Sequence, residues 1–247
     1  MLKLNHLTGF GSGAAGGAAA DVTSYDFDGT DDAVKADDHA DWNFTQGDFT
    51  IECFIYLTNA SSAISAEIFN HWTGASINSD RFFLENNSGM SYIVTESSAQ
   101  AVVVRSTTSL FSDATWHHIA ICRDGNNYYT YLDGVDRTTS GSPDATNPVD
   151  KTGEAWFGDR PDGTASFDGR IDEYRISNTC RYPSGTTFTP TITQFESDAN
   201  TLVLIHSGET IVSGATGSGA TFVDSGNTGH TWTEVGNAIR DTTVYKF

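Results

Sequence analysis

Basic residues are scarce in this chain: 13 Lys and Arg stand against 32 Asp and Glu in 247 residues, a formal charge of −19. A surface this acidic repels phosphate backbones and anionic headgroups at long range, which excludes nucleic acid and membrane surfaces as partners. Solubility alone, a Ca²⁺-binding surface, or an assembly with a basic neighbour would each produce such a charge. Cysteine is rare too. Cys53, Cys122 and Cys180 are odd in number and lack CxxC spacing, so they imply neither a disulfide framework nor a zinc site. Cys53 and Cys122 fall in apolar runs and are expected to pack as small buried hydrophobes, and folding in a reducing cytoplasm is the simpler account. No apolar run approaches the roughly 20 residues of a membrane helix. Met1 to Ala20 is too weakly apolar for a signal-peptide core. GxSxG elbows, Walker loops and HExxH pairs are missing, and the Gly-rich stretch 208–229 has no following Lys, so it reads as loop.

What is present, from Tyr25 onward, is a succession of short β-branched and aromatic runs broken by Gly, Asp, Asn and Ser clusters. That pattern predicts an all-β sandwich, not βαβ units. Phe49 to Leu57, Ser91 to Thr95, Ala101 to Arg105, Trp116 to Arg123, Tyr128 to Leu132 and Arg170 to Ser177 are expected strands. Asp133-Gly134 and Asp124-Gly125 are expected to close hairpins, since both residue types tolerate positive φ. Alternation puts His117 and His118 on opposite faces of one strand, where both pack and cannot share one metal. The same alternation separates Asp172 from Glu173, so this pair is not expected to serve as acid and nucleophile of one glycosidase site, and no ExDxE pattern offers another.

Four segments carry a family resemblance: YDFDGTDDAV at 25–34, GDFTIECFIYL at 47–57, WHHIAICRDGNNYYTYLDGV at 116–135 and FDGRIDEYRISN at 167–178. In this order they resemble the laminin-G-like, concanavalin A-like lectin/glucanase superfamily over most of residues 25–180. The resemblance implies a two-sheet antiparallel jelly-roll sandwich, spanning 21–247, with Ca²⁺ and glycan sites in some members. Residues 196–247 resemble strands that ordinarily open the domain, yet here they come last. Two explanations remain open: circular permutation within one chain, which is favoured because termini often lie close together, or completion of a neighbouring subunit's sheet, which would build an oligomer.

Candidate ligands for Ca²⁺ are Asp28, Asp31, Asp32, Asp168 and Asp172, although Asp-Gly turn chemistry accounts for the first cluster equally well. For a glycan, which needs aromatic rings beside polar groups, the candidates are Trp42, Trp72, Trp156, Arg160, Asp162 and Tyr182. Residues 1–20 read as an attachment tail with a Gly/Ala linker. Leu2, Leu4, Leu7 and Phe10 are its expected anchor, each worth about 1.5 to 3 kcal/mol when buried on a partner. A lectin-like domain behind such a leader is similar to accessory proteins of tailed bacteriophages. That resemblance implies a non-enzymatic head decoration, head fibre or tail-associated protein in the virion, assembled in the host cytoplasm as a homo-oligomer, with capsid or tail proteins as partners. A glycan-binding adhesin or stand-alone lectin is the alternative, and a glycoside hydrolase comes last.

Overall fold

The structure, a computed structural model, describes residues 23–44, 47–60, 65–73, 78–85, 89–207 and 221–247. The proposed anchor residues Leu2, Leu4, Leu7 and Phe10 lie outside the described residues. Two antiparallel sheets pack face to face. Sheet A runs β10 (Val135–Asp136), β9 (Asn127–Leu132), β8 (Trp116–Asp124), β3 (Phe49–Leu57), β13 (Asp168–Ser177), β1 (Ser24–Asp28) and β17 (Ile239–Asp241). Sheet B runs β11 (Thr138–Ser140), β7 (Ala99–Ser106), β6 (Gly89–Glu96), β5 (Ser79–Glu85), β4 (Ala66–Trp72), β12 (Glu154–Phe157), β2 (Ala33–Ala36), β16 (Trp232–Val235) and β15 (Thr221–Phe222). This is the all-β sandwich that the alternating runs predict.

Period-two alternation builds the core. Phe49, Ile51, Cys53, Ile55 and Leu57 of β3 face inward, with Ile119 and Ile121 of β8, against Phe82, Tyr92, Val94 and Phe157 of sheet B. The hairpins close as their sequences require: Asp133 (φ +50) and Gly134 (φ +77) link Leu132 to Val135, and Gly125 (φ +58) opens the loop between Asp124 and Asn127.

The C-terminal strands enter the chain's own sheets. β17 pairs with β1, β16 with β2, and β14 (Thr201–Ile205) with β13. Strands β1 and β14 divide one edge of β13, β1 facing residues 168–171 and β14 facing 174–177. Where they meet, the Ser207 hydroxyl lies 2.7 Å from the Thr23 carbonyl oxygen and 2.8 Å from Asp172 Oδ1, with one proton to share between them.

That junction corrects one expectation. A bulge between Asp172 and Arg175, with Glu173 at φ +54, shifts the register of β13 against β3. Ile171 and Tyr174 both reach the core, so Asp172 and Glu173 both lie on the outer face instead of on opposite faces. Neither is open to solvent. Glu173 accepts the Phe195 N–H and contacts His206 Nδ1 at 2.7 Å.

A crossing segment, residues 178–200, covers this outer face. Phe195 packs with Phe54 and Leu204, while Tyr182 and Phe188 pack over Ala120, Cys122 and Tyr131. Beneath it His118 and Arg175 converge on Glu52, and His117 contacts Asp133 from the other side of β8.

Candidate functional site

The outer face of sheet B departs from simple alternation, and Glu67, Asn70 and Ser91 are buried on it. In β4 (AEIFNHW) the register slips between Glu67 and Phe69. Ile68 and Phe69 consequently both enter the core, and Glu67, Asn70 and Trp72 come to one outer face. Neighbouring strands add Ser79 and Arg81 from β5, Thr95 from β6 and Trp156 from β12, opposite Asn70. Asn70, Trp72, Ser79, Arg81 and Thr95, together with Arg160, line a shallow groove of about 60 Å³.

Polar groups in the groove are held but not exhausted. Arg81 Nε donates to Glu67 Oε1 at 2.9 Å, and its Nη2 donates to the same oxygen. Burial pushes the Glu67 carboxyl up to about 7 against the opposing pull of Arg81. Asn70 Oδ1 and Nε1 of Trp72 are buried without a hydrogen-bond partner, while the Asn70 amide nitrogen lies beside the Glu67 carboxylate and helps hold its charge. Orphans of this kind are rare in native proteins, because each forfeits about 1–3 kcal/mol of hydration.

The loop after β12 supplies Arg160. Asp159, 2 % exposed, folds the loop by accepting the N–H groups of Arg160 and Ala165 and the Ser166 hydroxyl. Arg160 forks onto Asp162 with both contacts at 3.1 Å, and its guanidinium lies 6.0 Å from the Trp72 ring centre. Burial raises the Asp162 carboxyl, but bonds from Thr164 and Arg160 outweigh it and hold the group below its usual range. Trp156 donates Nε1 to Glu154 at 3.0 Å, and Lys35 lies 5.2 Å from the centre of its ring.

Four of the glycan candidates, Trp72, Trp156, Arg160 and Asp162, therefore share one region of sheet B. The other two do not join them. Trp42 is fully buried, 5.6 Å from Trp232 in the core, because the short 3₁₀ turn Ala40–Trp42 rotates it inward; it has no surface to offer a sugar. Tyr182 belongs to the covering segment on sheet A, stacked on Phe188 at 3.6 Å and donating its hydroxyl to Glu52 at 2.6 Å. Sequence reasoning missed Glu67, Asn70 and Arg81, which only the strand register brings together.

Of the calcium candidates, Asp28, Asp31 and Asp32 each bring a carboxylate oxygen within 4.8 Å of the others, and Asp168 faces Asp28 across the strand pair. These are hard oxygen donors, the class Ca²⁺ takes. Two of the carboxylates are already engaged in the turn. Asp32 accepts the N–H groups of Asp28 and Asn237 at 2.8 and 2.7 Å, and Asp28 accepts that of Thr30 at 2.8 Å. Asp172 stands apart, roughly 13 Å along β13 from Asp168 at strand rise, and is committed to Ser207.

No curated protein matches the chain. Among solved structures, a candidate carbohydrate-binding protein from Bacteroides ovatus is similar in fold, with TM-score 0.60, 14% identity, 89% of this chain and 59% of that one covered. The chain thus spans little more than half of that protein's length. Domains LG4-5 of the mouse laminin α1 chain align at TM-score 0.49 and 12% identity, over 68% of this chain and 47% of that one. The pentraxin of Limulus polyphemus aligns at 0.45 and 11%, over 66% and 79%. A family model matches residues 28–184, well over half of the sequence, and the chain belongs to the concanavalin A-like lectin/glucanases superfamily.

Proposed function

We propose that this domain binds a glycan, without catalysis, in the groove on the outer face of sheet B. The carrying observation is the pair of unpaired buried heteroatoms, Asn70 Oδ1 and Trp72 Nε1, in the wall of that groove. An amide presents an acceptor and two donors side by side, which matches neighbouring hydroxyls on one sugar ring. Trp72 adds an indole N–H and an aromatic surface, the usual partner for the apolar face of a pyranose. At about 60 Å³ the groove is too small to enclose a sugar ring and would meet one at its edge. No carboxylate lines it among the described residues, whereas glycosidic hydrolysis takes a pair flanking the bond.

A glycan array followed by calorimetry on the best hit tests this reading. Asn70→Ala and Trp72→Ala should each weaken binding by about tenfold or more, since a site built for hydroxyls pays for unmet polar groups. Tyr182→Phe should leave it unchanged. Absence of any retained glycan, or equal affinity in Asn70→Ala, overturns the proposal.

We further propose that residues 1–20 tether the domain to a tailed-phage virion, through capsid or tail proteins, with host-surface glycan as the ligand. Support comes from the apolar residues Leu2, Leu4, Leu7 and Phe10 ahead of the Gly/Ala linker. Cross-linking of a purified particle should place these residues on a capsid or tail protein; links confined to the domain itself count against the tether.

A further inference from the structure

We infer that His39, Asp41 and His230 form a binding site for a divalent transition-metal ion of the zinc class. These residues come from distant parts of the chain. His39 and Asp41 flank the start of the 3₁₀ turn after β2, and His230 precedes β16, 189 positions beyond Asp41. One potential ligand atom from each lies within 4.8 Å of the other two. Asp41 Oδ2 stands 2.8 Å from His230 Nε2 and 3.5 Å from His39 Nδ1. Neighbouring ligand atoms around a tetrahedral zinc are about 3.4 Å apart at ordinary bond lengths, so small movements would seat the ion.

The hydrogen bonds around these groups bear on the same geometry. His39 Nδ1 accepts the backbone N–H of Asp41 at 3.2 Å, so this nitrogen presents a lone pair. A carboxylate oxygen 3.5 Å away presents another. His230 Nε2 already approaches the same carboxylate oxygen at 2.8 Å, so an ion would take the place that a proton holds between them. The backbone N–H bond to His39 is long and would yield to coordination.

The surroundings fix the geometry. The Thr228 hydroxyl donates to Asp41 Oδ2 at 2.6 Å, and the His230 backbone N–H donates to Asp224 at 2.9 Å. Trp42 forms a rigid floor 4.7 Å from the His230 ring, and the two imidazoles lie 4.5 Å apart. His39 is exposed, leaving one side for water or an outside ligand. Two imidazoles with one carboxylate favour zinc, cobalt or nickel over calcium and magnesium, which take all-oxygen shells. A bound ion would tie the segment after β2 to the one before β16 and stabilise the fold by linkage.

Titration of the chelator-stripped full chain with zinc chloride, against a chromogenic chelator, tests the inference. One equivalent should bind, raising the melting temperature, and cobalt should give visible d–d bands. His39→Ala and His230→Ala should each lower affinity by at least about tenfold. His39 is exposed and its replacement removes only the capping bond from the Asp41 N–H, so the metal-free melting temperature should fall slightly without unfolding, and that variant decides if His230→Ala is unstable. No uptake, uptake equal in wild type and His39→Ala, or displacement by equimolar calcium overturns the assignment.

Discussion

Arg175 Nη2 sits 2.7 Å from Glu52 Oε1 across the β3–β13 pair, and the same carboxylate receives the Tyr182 hydroxyl and lies 3.0 Å from His118 Nε2. Breaking a buried pair by removing one partner strands the other charge, at about 3–5 kcal/mol. Glu52→Ala should lose stability of that order in urea denaturation. A loss below about 1 kcal/mol would mean that water reaches Arg175 beneath the covering segment.

Stability should peak in mildly acidic solution. Burial pushes Glu67 and Asp80 up to about 7, against the pull of Arg81 and Lys151. A carboxyl raised on folding contributes stability below its unfolded value near 4 and loses it as pH climbs through about 7. Glu52 runs the other way. Burial alone would raise it, but His118 and Arg175 bring it down to about 2, so its contribution is present above about 4.5 and lost toward pH 2. Melting temperatures scanned from pH 3 to 8 should pass a maximum at about pH 4.5–5.5. Glu67→Gln should flatten the alkaline side; an unaltered slope there rules out Glu67 as its source.

Asp32 holds its turn through the Asp28 N–H and ties it to the segment after β16 through the Asn237 N–H, and neither bond requires an ion. Asp32→Ala should therefore cost about 1–3 kcal/mol, equally in calcium and in chelator. A loss seen only with calcium present would instead assign the cluster to that ion.

Gly134 and Gly125 both adopt positive φ, but their surroundings differ. A Cβ at Gly134 would lie 1.8 Å from the Phe188 carbonyl oxygen, and one at Gly125 would meet nothing within 4 Å. Gly125→Ala should cost about 1 kcal/mol from backbone strain alone. Gly134→Ala should cost clearly more and loosen the covering segment, visible as faster amide exchange at Phe188, whose N–H bonds Gly134.

The strands with the densest β-branched and aromatic content, β3, β8, β9 and β13, were legible because alternation and Asp-Gly punctuation mark them without tertiary help. Strands β4 and β5 were not. AEIFNHW and SDRFFLE carry Glu, Asn, Trp and Arg on their outer face, and a bulge interrupts their period. Those same features make the groove, so the site was hidden for the reason that it exists. Trp42 looked like a loop aromatic because three residues of 3₁₀ turn leave no periodic trace. Asp172 and Glu173 misled through the opposite fault: a regular pattern was assumed where one inserted residue breaks it.

The pairing of β1 with β17 has a mechanical consequence. Ser24 opposes Asp241, and the Ser24 hydroxyl reaches the Val244 carbonyl, so residues 23 and 244 lie side by side. Tension applied through residues 23 and 244 would open this antiparallel pair from one end, rupturing rungs in turn instead of shearing them together. Held by one end alone, the same domain would carry no load across that seam.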